Sequence, residues 1–140
     1  MVDIASKVFD TVYTAVSTAY PSARIDAGYV ELPATFPAVT VMETNSVPVR
    51  RMNTDENSEF CTRLYYEVNI YSNKQDTARS EAREIAKTVD AAMKTLKFYR
   101  TMMHELPAQD RTITRLYLRY EVIVQEIVNG NDIVYQFYRR

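Results

Sequence analysis

ITRLYLRYEVIVQEI, residues 113–127, is the stretch on which the fold turns. Leu116, Leu118, Tyr120, Val122 and Val124 fall at every second position, with Arg115, Tyr117, Arg119, Glu121 and Gln125 between them. This is the period of a β-strand with one apolar face and one face of Tyr, Arg and Glu. Taken from Thr112 to Val128, the run would reach roughly 56 Å at ~3.3 Å per residue. Typical strands have about five or six residues. The run therefore predicts either a bulge or bend within it, or an end that projects beyond the body of the domain.

Both flanks carry turn chemistry. Asn129-Gly130 is the strongest short hairpin signal, because both central residues of such a turn need positive φ. A two-residue turn there sets Val124 opposite Tyr135 and Val122 opposite Phe137, and makes Asp132–Tyr138 a last strand. On the other side Pro107–Asp110 reads as a turn after a strand at Phe98–Leu106. With Leu106 facing Arg111, Tyr99 lies opposite Leu118 and Thr101 opposite Leu116. A further alternating strand spans Arg63–Tyr71, with Leu64, Tyr66, Val68 and Ile70 on one face and Arg63, Tyr65, Glu67 and Asn69 on the other.

Two helices are legible. Ile4, Val8, Val12, Ala15, Val16 and Ala19 recur at three- and four-residue steps between Asp3, a plausible N-cap, and Tyr20, which precedes Pro21. Ala78, Ala82, Ile85, Ala86, Val89, Ala92, Met93 and Leu96 form the apolar side of a second helix over Lys74–Lys97, with Asn73 as its polar start. Between the first helix and the central strands, Pro21–Pro37 is broken by proline and glycine and holds only a weak strand signal at Tyr29–Glu31. PAVTVMET, residues 37–44, alternates as a short strand. From Asn45 to Phe60 the pattern dissolves into a long loop that carries Arg50 and Arg51.

This order predicts a single α+β domain over residues 1–140, a two-layer sandwich of a mostly antiparallel sheet with two helices packed on one face. The helix Lys74–Lys97 is about 36 Å long at 1.5 Å per residue, shorter than the strand run. The C-terminal hairpin at about 121–138 is therefore expected to overhang the helices, without a partner in its own subunit. The other sheet face, with Tyr65, Glu67, Tyr117, Arg119, Glu121 and Ile123, has no helix to cover it. Mixed Tyr, Arg and Glu suit a subunit contact. The alternative is a solvated face, as antiparallel sheets often have.

Composition narrows the function classes. The chain has 140 residues, 25 % charged and 46 % hydrophobic, and a formal charge of −1, which leaves no electrostatic footprint for nucleic acid or an anionic membrane. No apolar run approaches the ~20 residues that span a bilayer, and MVDIASKVFD lacks the start of a signal peptide; a cytosolic setting is expected. Cys61 and His104 are the single Cys and the single His, and with 2 Gly there is no glycine-rich phosphate cradle. No catalytic, cofactor or metal site is expected, and the chain is read as a non-enzyme. The 11 Tyr without any Trp fit surfaces that are wet before assembly and buried after it, or simply strands.

FPAVTVMETNSVP, then LYYEVNIYSN leading into AREIAKTVDAAM, then DRTITRLYLRYEV, resembles in pattern and order the tail-completion and tail-terminator proteins of long-tailed bacteriophages, with the related minor capsid and neck proteins of the head–tail junction. The resemblance covers about Phe36 to Val124. It implies a structural virion protein in the tail or neck region, assembled in the host cytoplasm. It implies a homo-oligomeric ring, commonly of six, that terminates the tail tube, receives the head connector and lets DNA pass its bore without specific binding. A head-side neck adaptor meeting the portal, or a non-viral self-associating module, are the other readings. The residues expected at the subunit interface are Tyr65, Glu67, Arg115, Tyr117, Arg119, Glu121, Ile133, Tyr135 and Phe137. Arg50 and Arg51 are expected to face the channel or the adjoining ring.

Overall fold

A six-stranded sheet grows around the alternating run. The computed structural model describes residues 1–30, 32–49, 61–107, 110–129 and 132–138. The chain runs through α1 (Ala5–Ala19), β1 (Arg24–Ala27), β2 (Ala38–Pro48), β3 (Cys61–Ser72), α2 (Ala78–Thr95), β4 (Tyr99–Leu106), β5 (Thr114–Asn129) and β6 (Asp132–Tyr138). The strand order is β1-β2-β3-β5-β4, with β6 also on β5. Only β1 is parallel to its neighbour, and the other pairs are antiparallel. Both helices lie on one face, as expected of an α+β two-layer sandwich.

β5 pairs with β3 from Thr114 to Gln125 without a register shift. Its other edge is shared end to end by β4, along Arg115–Glu121, and β6, along Ile123–Asn129. The long run is thus one strand of 16 residues whose last part extends past the β3 pairing. Of the two expectations for its length, projection is the one realised.

Period decides the core. Val8, Val12 and Val16 of α1, and Ile85, Val89 and Met93 of α2, lie fully buried with Leu64, Val68, Ile70, Leu118, Val122 and Val124 of the sheet. Tyr66, Phe98 and Tyr120 stack edge to face at centroid distances of 5.4 and 6.4 Å, pairs worth ~0.5–1.5 kcal/mol each beyond their burial. Both buried phenols find acceptors at the rim of the core. Tyr66 donates to Glu43 at 3.2 Å and Tyr120 to Asp90 at 3.0 Å. Burial first, then the neighbouring carboxylate, pushes each phenol far above its ordinary range.

Several sequence expectations are corrected. The strand after α1 is Arg24–Ala27; Tyr29 and Val30 of the expected strand are not in one, and Glu31 lies outside the described residues. Four residues carry too little alternation to be read, and their parallel register to Ala38–Val41 is a tertiary choice. β2 continues through Asn45 to Pro48, past a bulge at Thr44, because Leu64 and Arg63 offer it a ladder. The expected loop therefore begins later, and residues 50–60 lie outside the described residues. Asp3 accepts the Ala5 N–H at 3.2 Å, although the residue that caps α1 is Ile4. α2 begins at Ala78 rather than Lys74, since Asp76 takes a φ of 63° that interrupts the helix.

Two registers also differ. Leu106 pairs with Arg115 rather than Arg111. Asp110 lengthens the connection by forming a turn of its own, its Oδ1 accepting the Thr112 N–H at 2.9 Å and the Thr112 hydroxyl at 2.7 Å. A bulge between Arg100 and Met102 then turns Tyr99 to face Glu121. In the hairpin, Val124 faces Phe137 and Glu126 faces Tyr135, two residues on from the expected pairing. Both registers have the same parity and set an aromatic ring opposite Val124, so the alternation does not separate them.

Candidate functional site

The sheet face opposite the helices was the expected assembly surface, and it divides into two parts. At one end the segment after β1 folds across it. Tyr71 donates its hydroxyl to the Val30 carbonyl at 3.0 Å. The Arg115 guanidinium lies 5.9 Å from the Tyr29 ring and 5.6 Å from the Tyr71 ring, and its Nε donates to Asn69 at 3.0 Å. Thr40, Asn69 and Tyr71 are buried there. Arg115 is thus engaged within its own subunit. Sequence reasoning missed this cover; the signal available was Gly28, whose φ of 95° turns the chain as it leaves β1.

The other part is only partly exposed: contrary to expectation Tyr117, Glu121 and Ile123 are buried, Tyr65 and Glu67 are half-buried, and Arg119 is exposed. Tyr117 donates to Glu67, and Arg119 donates through Nε to the Tyr117 hydroxyl at 3.2 Å, with its Nη2 3.9 Å from Glu67. Burial, then the hydrogen bond to Glu67, raises the Tyr117 phenol above its ordinary value. Glu67 and Arg119 are direct cross-strand neighbours, so these opposite charges first hold the sheet together. Around them Thr44, Asn45, Val47, Tyr65, Thr101 and the buried Glu121 line a shallow depression of about 500 Å³. The structure therefore brings Tyr65, Glu67, Tyr117, Arg119 and Glu121 together and leaves Arg115 to the covered end.

The three hairpin residues part company. Phe137 is buried against the core with Val124, and the Lys7 ammonium sits 5.1 Å from its ring centroid. Val2 and Ile4 belong to the same buried cluster, and Tyr135 packs half-buried against it. The hairpin thus has a partner in its own subunit, contrary to expectation: the start of the chain reaches across to cover its base, where helix length alone could not. Ile133 remains 55 % exposed, as do Val134 at 50 % and Ile127. Val134 and Ile127 face each other across the hairpin on the side away from the helices. Arg50 and Arg51 lie outside the described residues.

The two residues that nucleophilic chemistry would need are far apart. Cys61 is opposite Gln125 on one edge of β5, and His104 opposite Tyr117 on the other. Eight positions along a strand are roughly 26 Å. That distance excludes a Cys61–His104 pair. Burial also raises the Cys61 thiol above its ordinary value, away from the thiolate. Among the described residues no His, Cys, Asp and Glu group could hold a metal ion, and no helix is long and apolar enough to cross a membrane.

No protein-family model and no curated protein matches the chain. A solved bacteriophage protein does. The chain is similar to the gp17 protein of bacteriophage SPP1, with 12 % identity and a TM-score of 0.40, over 91 % of this chain and 93 % of that one. A likeness at that level assigns no residue of this chain a role.

Proposed function

We propose that the protein is a structural subunit of a bacteriophage virion, acting at the head–tail junction as a tail-completion ring. The reading rests on the resemblance in sequence order set out above. The observation that carries the self-association is the tip of the β5–β6 hairpin, which extends past β3 and holds Ile127, Ile133 and Val134 in water. Large apolar side chains gain roughly 1.5–3 kcal/mol each on full burial. A neighbouring subunit supplies that burial, and the Tyr65/Arg119/Glu121 depression supplies a polar contact beside it. One ring face meets the tail tube protein and the other the head connector. With a formal charge of −1, the bore lets DNA pass without gripping it.

Native mass spectrometry with negative-stain electron microscopy of the purified protein tests this. A six-fold ring with a central channel is expected at high protein concentration or on tail tubes. A ring of another symmetry that binds portals would move the protein to the neck, and a species that never closes would remove it from the junction. The role needs no catalysis, so a Cys61→Ala/His104→Ala variant is expected to assemble like the parent protein. A folded double variant that fails to assemble would bring an enzymatic role back.

A further inference from the structure

We propose that β4 is the seam of a two-fold dimer, pairing antiparallel with β4 of a second copy so that one sheet runs through both subunits. β4 forms the edge of the main sheet. None of its eight residues is buried, and Tyr99, Met102 and Met103 are 42 %, 39 % and 40 % exposed. An edge strand this long and this apolar invites another strand unless charge repels it. Here charge selects the visitor.

The bulge at Thr101 is what makes the selection possible. It brings Arg100 and Glu105, five residues apart, onto the helix side of the strand, opposite Tyr120 and Leu116 of β5. Arg100 lies 3.6 Å from Asp90, and Glu105 lies 3.1 Å from Arg79. With a two-fold axis through Met103, Arg100 of each copy faces Glu105 of the other. The charges on either side of the axis then alternate, in the order Arg79, Glu105, Arg100 of the second copy, and its Asp90. On the opposite face Met102 meets His104, and Tyr99 meets Leu106. An axis through Met102 would leave both charges facing apolar groups, and a parallel in-register pair would set Arg100 on Arg100. One polarity and one register are therefore favoured, with charge deciding register more than affinity. The free edge of β2 competes poorly, because its own bulge at Thr44 and Pro48 interrupt it. A two-fold pair closes on itself; it is a state of the free protein outside the ring, because a ring whose two faces meet different partners has no two-fold axis between its subunits.

Sedimentation velocity on the full chain, with cysteine cross-linking, tests the pairing. A concentration-dependent monomer–dimer equilibrium is expected below the concentrations at which rings form. Under mild oxidation Met103→Cys should cross-link about ten-fold faster than Lys87→Cys on exposed α2, because directly opposed strand residues lie within disulfide reach. Arg100→Glu and Glu105→Arg should each abolish the dimer and the combined variant restore it, with circular dichroism reporting the fold. The cysteine comparison decides the matter even where a charge variant unfolds. A protein monomeric at every concentration, open-ended oligomers, or equal cross-linking at Met103→Cys and Lys87→Cys would overturn the proposal.

Discussion

Lys97 sits just past α2 with a φ of 62°, where glycine is the usual occupant. The Phe98 N–H bonds the Met93 carbonyl at 3.1 Å and the Lys97 N–H bonds the Lys94 carbonyl at 2.9 Å, so the helix ends in a Schellman motif that forces this conformation. A side chain costs ~1 kcal/mol or more there, and Lys97→Gly is expected to raise stability by about 1 kcal/mol in urea denaturation. Asp90 carries a second prediction. Burial would raise its carboxyl, but hydrogen bonds from Lys94 and Tyr120 and the Arg100 charge outweigh burial and hold it below its ordinary value. A depressed folded pKa contributes stability that is complete above the ordinary carboxylate range and disappears as pH falls through the folded value. Asp90→Ala strands the buried Tyr120 hydroxyl and should cost about 1–3 kcal/mol at neutral pH. Asp90→Asn should lose less stability on acidification than the parent protein. Glu43 works with the opposite sign. Burial raises its carboxyl, so its protonation on the way down toward 4.5 favours the folded state. An acid limb unchanged by Asp90→Asn would refute the assignment.

At the scale of elements, the β5–β6 hairpin has a structural base and an exposed apolar tip, to which we assign the ring contact as a proposal. Phe137→Ala at the base should destabilise the subunit by about 3–5 kcal/mol, toward the lower figure because the site lies at the border of the core. Val134→Asp at the exposed tip should change stability by no more than about 0.5 kcal/mol yet stop ring closure. Denaturation midpoints and native mass spectra of the two variants separate the roles, and equal destabilisation by both would show that the division is wrong. The base also explains why removing the last strand is expected to damage the fold rather than merely free a monomer. Phe137 and Val124 close the same buried cluster as Val2, Ile4 and Val8.

For the whole molecule, β3 and β5 are flanked by strands on both edges, whereas β1 and β4 lie at the margins of the main sheet. Hydrogen exchange should therefore find the slowest amides in Leu64–Ile70 and Leu116–Val122 and faster ones in Tyr99–Leu106. Protection of β4 that rises with protein concentration would accompany the two-fold pairing. Much of this architecture was legible in the sequence, because alternation and three-to-four spacing are local properties: each residue's face follows from its own strand or helix period. That determined the α+β class, both helices, five of the six strands and the residues that share the sheet face opposite the helices. Register was not legible, because a slip of two or four residues keeps parity and sets similar residues opposite each other. Nor was the cover over Arg115 or beneath Phe137. Those contacts join Tyr29 to Arg115 and Lys7 to Phe137, segments far apart in the chain that carry no pattern in common, and only their packing in three dimensions decides which apolar groups remain for a partner.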